Sequence, residues 1–144
     1  MIWFDASLEK QADDDLLRRS IATVLNIDTD SVDVIHDIMQ IADMPITCLV
    51  ASESFADYSQ IVSIYHSGDL HPPPILEAAS QLARLLRRSL LMANDETANP
   101  YSFILISSTG ESSVVLVDPD ELDKNGRYVI TSHAPVAGEQ SQGS

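Results

Sequence analysis

The sequence predicts an α+β fold in which a single, mostly antiparallel sheet carries two main helices on one face. Apolar residues recur at helical spacing around Leu16 and again around Leu82. Between and after these stretches, shorter segments alternate apolar and polar residues or are continuously apolar, as strands are. Glycine-bearing turns join several of these segments, which favours antiparallel neighbours. The predicted order is β-α-β-β-β-α-β-β-β, with five to seven strands in the sheet.

In the first half of the chain, the apolar run Ile2-Trp3-Phe4 predicts a short opening strand. The spacing of Ala12, Leu16 and Ile21 predicts a helix from about Leu8 to Leu25, with acidic residues near its start. The pattern then changes to that of strands. Three strands are predicted at Ser31–Ile38, Pro45–Ala51 and Gln60–His66.

In the second half, a run of prolines before residue 75 prepares a helix, since proline is tolerated in a first helical turn. This helix is predicted from about Pro74 to Arg88, and Ser89–Ala93 fits a helix or a strand equally well. The remaining predicted elements are strands at Tyr101–Ile106, Ser113–Val117 and Arg127–Thr131, the first two forming a hairpin around Gly110. The predicted core between helices and sheet includes Leu16, Ile21, Leu82 and Leu86.

The length of 144 residues predicts one domain over 1–133, followed by a disordered tail over 134–144 that is rich in Gly, Gln and Ser. Cys48 is the only cysteine, so an intramolecular disulfide is excluded. The first ten residues lack the pattern of a signal peptide, and no apolar run is long enough to cross a bilayer. We therefore expect a soluble, cytoplasmic protein.

The pentapeptide Leu16-Leu17-Arg18-Arg19-Ser20 recurs as Leu85-Leu86-Arg87-Arg88-Ser89. A duplicated unit of one helix and three strands is one explanation. Chance recurrence is the other, because amphipathic helices use Leu, Arg and Ser repeatedly.

The charge is strongly negative, with 22 acidic residues against 8 basic ones and a net charge of −14. Such a field repels nucleic acid and anionic membranes, and it attracts a basic protein. No Lys or Arg occurs between Ser20 and Ala83, where acidic residues are frequent. The residues predicted to bind a basic partner are Asp28, Asp30, Asp33, Asp37, Asp43, Glu53 and Asp57.

Motifs for catalysis or for a cofactor are weak. The segments beginning at Asp28 and Glu121 resemble calcium loops in part, but each lacks required ligands. The His66–His71 loop holds three potential metal ligands without a fourth, so it is predicted to be a polar loop. We predict no catalytic residue, metal or cofactor, while a site assembled in space from Asp33, Asp37, His36 or His66 stays open as an alternative.

In size, acidity and element order, the chain resembles two bacterial families. Toxin-immunity proteins block a basic toxin with an acidic surface. Type III secretion chaperones are acidic homodimers whose helix, three strands, helix and two strands are similar to residues 8–118. They end in a third helix, however, whereas residues 119–144 contain Pro119 and Gly126 and are predicted to be non-helical. The first resemblance implies an inhibitor of a basic toxin, the second a chaperone for an effector. Whether the protein is a monomer or a homodimer stays open.

We predict that a chelator leaves the thermal midpoint of unfolding unchanged, because removal of a structural ion would remove folding free energy. Differential scanning fluorimetry with and without EDTA measures this. A decrease of more than a few degrees contradicts the prediction.

Overall fold

The computed structural model describes residues 2–52 and 56–134. The elements are β1 (Ile2–Leu8), α1 (Asp14–Leu25), β2 (Val32–Ile35), β3 (Ile46–Ser52), β4 (Gln60–His66), α2 (Ile75–Leu86), β5 (Leu90–Ala93), β6 (Ser102–Ile106), β7 (Ser112–Val117), α3 (Pro119–Asn125) and β8 (Ile130–Ala134). Two single 3₁₀ turns, Thr29–Ser31 and Ile38–Gln40, lie on either side of β2.

The described strands form one sheet in the order β2-β3-β4-β1-β5-β6-β7-β8. Every neighbouring pair is antiparallel except β2 and β3, so the predicted α+β class with a mostly antiparallel sheet is confirmed. The expected five to seven strands were too few. The parallel pair was also not predicted, because residues 36–45 form a connection shorter than the roughly twelve residues that parallel crossovers ordinarily need.

α1 and α2 pack on the same face of the sheet, as predicted. Ile21, Leu82 and Leu86 are buried in one cluster with alternate residues of the central strands, whereas Leu16 is only partly buried beside it. α1 begins at Asp14 rather than near Leu8, because residues 2–8 continue as β1. The side chain of Asp13 caps the helix by accepting a hydrogen bond of 2.7 Å from the amide of Leu16.

The third helix, α3, contradicts the prediction that the region after residue 118 is non-helical. Leu122 of α3 packs in a second cluster with Leu91, Val115 and Val117, on the sheet face opposite α1 and α2. Pro119 stands in the first turn of α3, where its missing amide costs no hydrogen bond. The two helices on one face were therefore predicted, and the helix on the other face was not.

The end of α2 decides between the two interpretations of Ser89–Ala93. Arg87 adopts the left-handed conformation with φ of 58° and ends the helix, so Leu90–Ala93 is strand β5. The repeated pentapeptide consequently starts in the first turn of α1 and in the last turn of α2. It does not mark equivalent positions of a duplicated unit. The predicted tail begins inside β8 at residue 134, and residues 135–144 lie outside the described residues.

We expect Gly110→Ala to lower the free energy of unfolding by about 1–3 kcal/mol. Gly110 has φ of +92°, and an added Cβ would lie 2.7 Å from Ser80 Oγ and even closer to Arg84 Nε. Ser80 Oγ also donates a hydrogen bond of 2.7 Å to the Gly110 carbonyl, which ties the β6–β7 turn to α2. Urea unfolding provides the measurement. The control is Gly68→Ala, since an added Cβ there meets nothing within 4 Å; equal losses in both variants contradict the prediction.

Candidate protein-binding surface

The structure places the predicted chemical candidates apart. Cys48 is buried in β3, and burial, followed by the charge of Asp14, raises the pKa of its thiol to about 12. His36 contacts Asp14 at 2.8 Å rather than Asp33 or Asp37, and His66 Nδ1 lies 2.7 Å from the carbonyl oxygen of Ser67. In the parts of the chain that are described, no group of three His, Cys, Asp or Glu residues could hold a metal ion.

The predicted acidic residues lie at two ends of the sheet. Val32 and Ile46 are paired in parallel register, so Asp28 and Asp30, before β2, share one end with Asp43, before β3. Asp37 follows the last residue of β2 and lies at the opposite end.

Three members of the predicted set differ from this description. Asp57, in the β3–β4 connection, lies at the same end as Asp37 and is paired with Lys10 at 2.6 Å. Asp33 is half-buried within β2, on the face away from α1 and α2, because its neighbours Val32 and Val34 lie in the helix-side cluster. Glu53 lies outside the described residues. The structure therefore divides the predicted surface rather than forming it as one patch.

The basic side chains that reach the half of the sheet formed by β2, β3 and β4 come from outside it, namely Arg18 of α1 at Val32 and Lys10 at Asp57. Arg19 pairs with Asp15 at 2.8 Å, Arg84 Nε donates to the carbonyl of Thr109, and Arg18 Nε donates to that of Val32. No Lys or Arg occurs from residue 21 to residue 83, which covers these three strands. Asp28, Asp30 and Asp43 are exposed at one end of this half.

The β2–β3 loop (residues 36–45) adds an apolar component to this acidic region. Ile38, Met39 and Ile41 are exposed to 49%, 85% and 53%. Asp37 and Asp43 stand on either side of them in sequence. Scattered apolar side chains are normal on protein surfaces, but three large ones within four positions form a patch. Because β2 and β3 are parallel, the loop runs from the end of β2 back to the start of β3 and so joins the two acidic ends. We call its three exposed apolar residues, together with Asp37 at one end and Asp28, Asp30 and Asp43 at the other, the loop surface.

Hydrogen bonds within the β2–β3 loop fix the shape of this patch. Asp37 Oδ1 accepts from the amide of Met39 at 3.0 Å, and Gln40 Oε1 accepts from the amides of His36 and Asp37 at 2.9 and 3.1 Å. Together these contacts make a reciprocal capping box around the turn Ile38–Gln40. The apolar side chains are thus presented on an ordered turn, which lowers the conformational entropy lost when a partner binds.

Sequence reasoning missed Ile38, Met39 and Ile41 as functional candidates. The pattern extended the strand to Ile38, so an apolar residue there was expected to be part of the sheet. One available signal was Asp37 followed three positions later by Gln40, which is typical of a capped turn that ends a strand.

Comparisons with protein-family models, with curated proteins and with solved structures find no match to this chain. Among the described helices, none has the length and apolar composition needed to span a bilayer.

We expect the free energy of unfolding to fall as the pH rises from about 9 towards 12, partly because of Cys48. The unfolded thiol loses its proton near its ordinary pKa of 9.0, whereas the folded thiol keeps it to about 12. Between these two pKa values, the folded chain keeps a thiol proton that the unfolded chain has released. Each increase of one pH unit in this range therefore lowers the free energy of unfolding by about 1 kcal/mol. Urea unfolding at pH 8, 9, 10 and 11 measures this loss.

The control is Cys48→Ala, which has a cavity at every pH but no thiol to titrate. Its stability should fall less steeply above pH 9 than that of the original chain. Parallel pH dependences in the two proteins contradict the assignment to Cys48.

Proposed function

We propose that this chain is a non-catalytic protein-binding domain whose loop surface binds a basic protein. The observation that carries the proposal is the concentration of exposed Ile38, Met39 and Ile41 in an ordered loop that Asp37 and Asp43 flank in sequence. Apolar residues at the centre of a patch and charges at its rim are the arrangement found in protein–protein interfaces. In this proposal the basic partner is a bacterial toxin. The chain is then an immunity-type inhibitor of that toxin in the bacterial cytoplasm.

The apolar residues supply affinity in this proposal. Fully burying one such side chain is worth roughly 1.5–3 kcal/mol, and methionine is both enriched in interfaces and able to adapt to irregular surfaces. Met39, the most exposed of the three, is the expected anchor. Its loss should act mainly on the dissociation rate, as most changes in interface contacts do.

The acidic residues supply the speed of association. Long-range attraction between surfaces of opposite charge raises association rates and is screened by salt, with a Debye length of ~8 Å at physiological ionic strength. Asp30 and Asp43 are exposed and lie at the same end of the sheet, outside the capping box. Their charges should therefore be replaceable without a change in the loop conformation.

A type III secretion-like chaperone for an effector is the second candidate. The observation that favours it is α3, a third helix after the second hairpin strand as in those chaperones, although β8 follows it in this chain. A homodimer in solution and an effector gene beside the chaperone gene would distinguish it from an inhibitor. A small enzyme with an Asp/His site is third, and the exposed pair of His36 and Asp14 is its nearest structural counterpart.

The test uses a basic toxin encoded beside this gene, with binding followed by surface plasmon resonance. Asp30→Lys/Asp43→Lys should slow association about tenfold in low salt, with a smaller effect at high salt. Met39→Ser should raise the dissociation rate about tenfold with little change in association. The matched control is Glu111→Lys/Asp120→Lys, which makes the same charge change at exposed positions far from the loop in sequence.

Equal slowing by both charge variants indicates an effect of net charge and contradicts binding at the loop surface. A toxin that binds Met39→Ser with unchanged kinetics contradicts the role of the apolar residues. If a neighbouring effector binds instead and no toxin does, the chaperone is the better assignment.

A further inference from the structure

At the centre of the sheet, the hydrogen-bonded ladder between β1 and β5 is incomplete, and we call the stretch without pairing the gap. β1 pairs with β4 along its whole length, from Ile2 to Leu8. Its pairing with β5 is confined to Ser7 opposite Leu91 and Leu8 opposite Leu90. Beyond Ser7 the two strands no longer pair, although β5 continues to Ala93 and β1 extends back to Ile2. The ladder therefore opens towards the start of β1.

Main-chain groups of both strands face this gap. The amide of Asn94 donates to the carbonyl of Ser102 in β6, and successive residues of a strand point their main-chain groups in opposite directions. The N–H and C=O of Ala93 therefore point towards β1. The pairing of Ser7 with Leu91 places Asp5 opposite Ala93, at a level where the ladder has already ended. The gap thus resembles a sheet edge on each side, and such edges can pair with another chain.

An apolar cleft of about 280 Å³ opens from the gap on the side of the sheet that carries the helices. A β-bulge shifts the register of β1 between Ile2 and Phe4, and both Trp3 and Phe4 pack against the helix-side cluster. Bulges characteristically re-aim a side chain in this way. The apolar residues that line the cleft are Trp3, Phe4, Ile75, Leu76, Met92, Ala93 and Ile104.

A second cavity of about 170 Å³ lies on the opposite face of the same gap, and it contains Ser7, Ile61, Phe103 and Tyr128. Asp5 and Ala93 line both cavities, so the two cavities flank the gap on opposite faces of the sheet. Asp95 and Glu96 also line the helix-side cleft, and neither cavity is lined by a lysine or an arginine within the described part of the chain. The cavities beside the gap are therefore lined mainly by apolar residues, together with the carboxylates of Asp5, Asp95 and Glu96.

We propose that the gap between β1 and β5 binds an extended basic peptide segment of a partner protein as an added strand. Alternate side chains of a strand point to opposite faces, so an apolar residue enters the helix-side cleft. Its lysine or arginine neighbours then lie near Asp5 on the other face. Asp95 and Glu96 attract basic residues further along the segment. Strand addition of this kind takes its affinity from main-chain hydrogen bonds and its specificity from pockets for alternate side chains.

This proposal goes beyond the loop surface and does not depend on it. The gap lies between β1 and β5 at the centre of the sheet, whereas the β2–β3 loop lies at the edge formed by β2.

Trp3 makes binding directly observable, because it is the only tryptophan in the chain and it lines the cleft. The probe is the blocked peptide acetyl-Lys-Leu-Lys-Leu-Lys-amide, titrated at low salt. We expect a saturable shift of the Trp3 emission. The charge-reversed peptide with Glu in place of Lys should bind at least about tenfold more weakly, since its charges meet Asp5, Asp95 and Glu96. A peptide with N-methylated backbone amides should lose binding as well, because it cannot form the main-chain hydrogen bonds of a strand.

The variant Leu76→Ser should weaken binding of the Lys-Leu peptide about tenfold, since it removes part of the cleft wall. Its matched control is Leu85→Ser on the same helix, which is exposed to 39% against 48% for Leu76 and lies outside both cavities. The Leu85→Ser variant should bind the peptide normally, and circular dichroism of both variants checks the fold.

The proposal is overturned if the Trp3 emission shows no saturable shift up to millimolar peptide. Equal binding of the charge-reversed or the N-methylated peptide overturns it too, as does equal weakening by Leu85→Ser. Trp3 emission that depends on protein concentration without peptide would assign the gap to a second copy of the chain instead. None of these results bears on toxin binding by the loop surface, because the probe is a short synthetic peptide.

Discussion

The structure depends on the position of β1 in the middle of the sheet. β2, β3 and β4 form one half, and β5 to β8 form the other, and in the sheet order the two halves meet at β1. Alternate residues Phe4, Ala6 and Leu8 are buried beneath the helices, so the strand also supplies part of the core. The seam is unequal, because β1 is paired along its length with β4 but only briefly with β5. The acidic loop surface belongs to one half, and the gap proposed to bind a peptide lies at the seam itself.

Much of the fold could be predicted from local pattern, because local physics determines it. The helical spacing around Leu82 and the alternation in Gln60–His66 identified α2 and β4 to within two residues, and the Gly110 turn identified the hairpin. α3 was missed because proline and glycine were treated as helix breakers. In the structure, Asp118 caps the helix, Pro119 opens it, and Gly126 closes it in the left-handed conformation. The same residues that argue against a helix interior are favourable at its ends.

The candidate site was predictable only in its charge. The absence of Lys and Arg between Ser20 and Ala83 directed attention to the half of the sheet that contains β2. Composition cannot show, however, that Asp30 and Asp43 lie at the same end of the sheet, since this requires the parallel register of β2 and β3. Composition also cannot distinguish the exposed Met39 from a methionine of the core, because the residue type is the same whether its side chain is buried or exposed. Exposure is decided by the turn that Asp37 and Gln40 stabilise.

The central position of β1 also has a consequence for folding on the ribosome. β1 precedes both of its partners in chain order, and Ser7 must find Leu91 before the two halves of the sheet can join. Contacts this distant in sequence have a large loop-closure entropy and slow the search for the native topology. Until then, the apolar strand Ile2–Leu8 has an unpaired edge, the feature that makes nascent chains prone to aggregation. The strong negative charge of the chain keeps such intermediates apart during that interval.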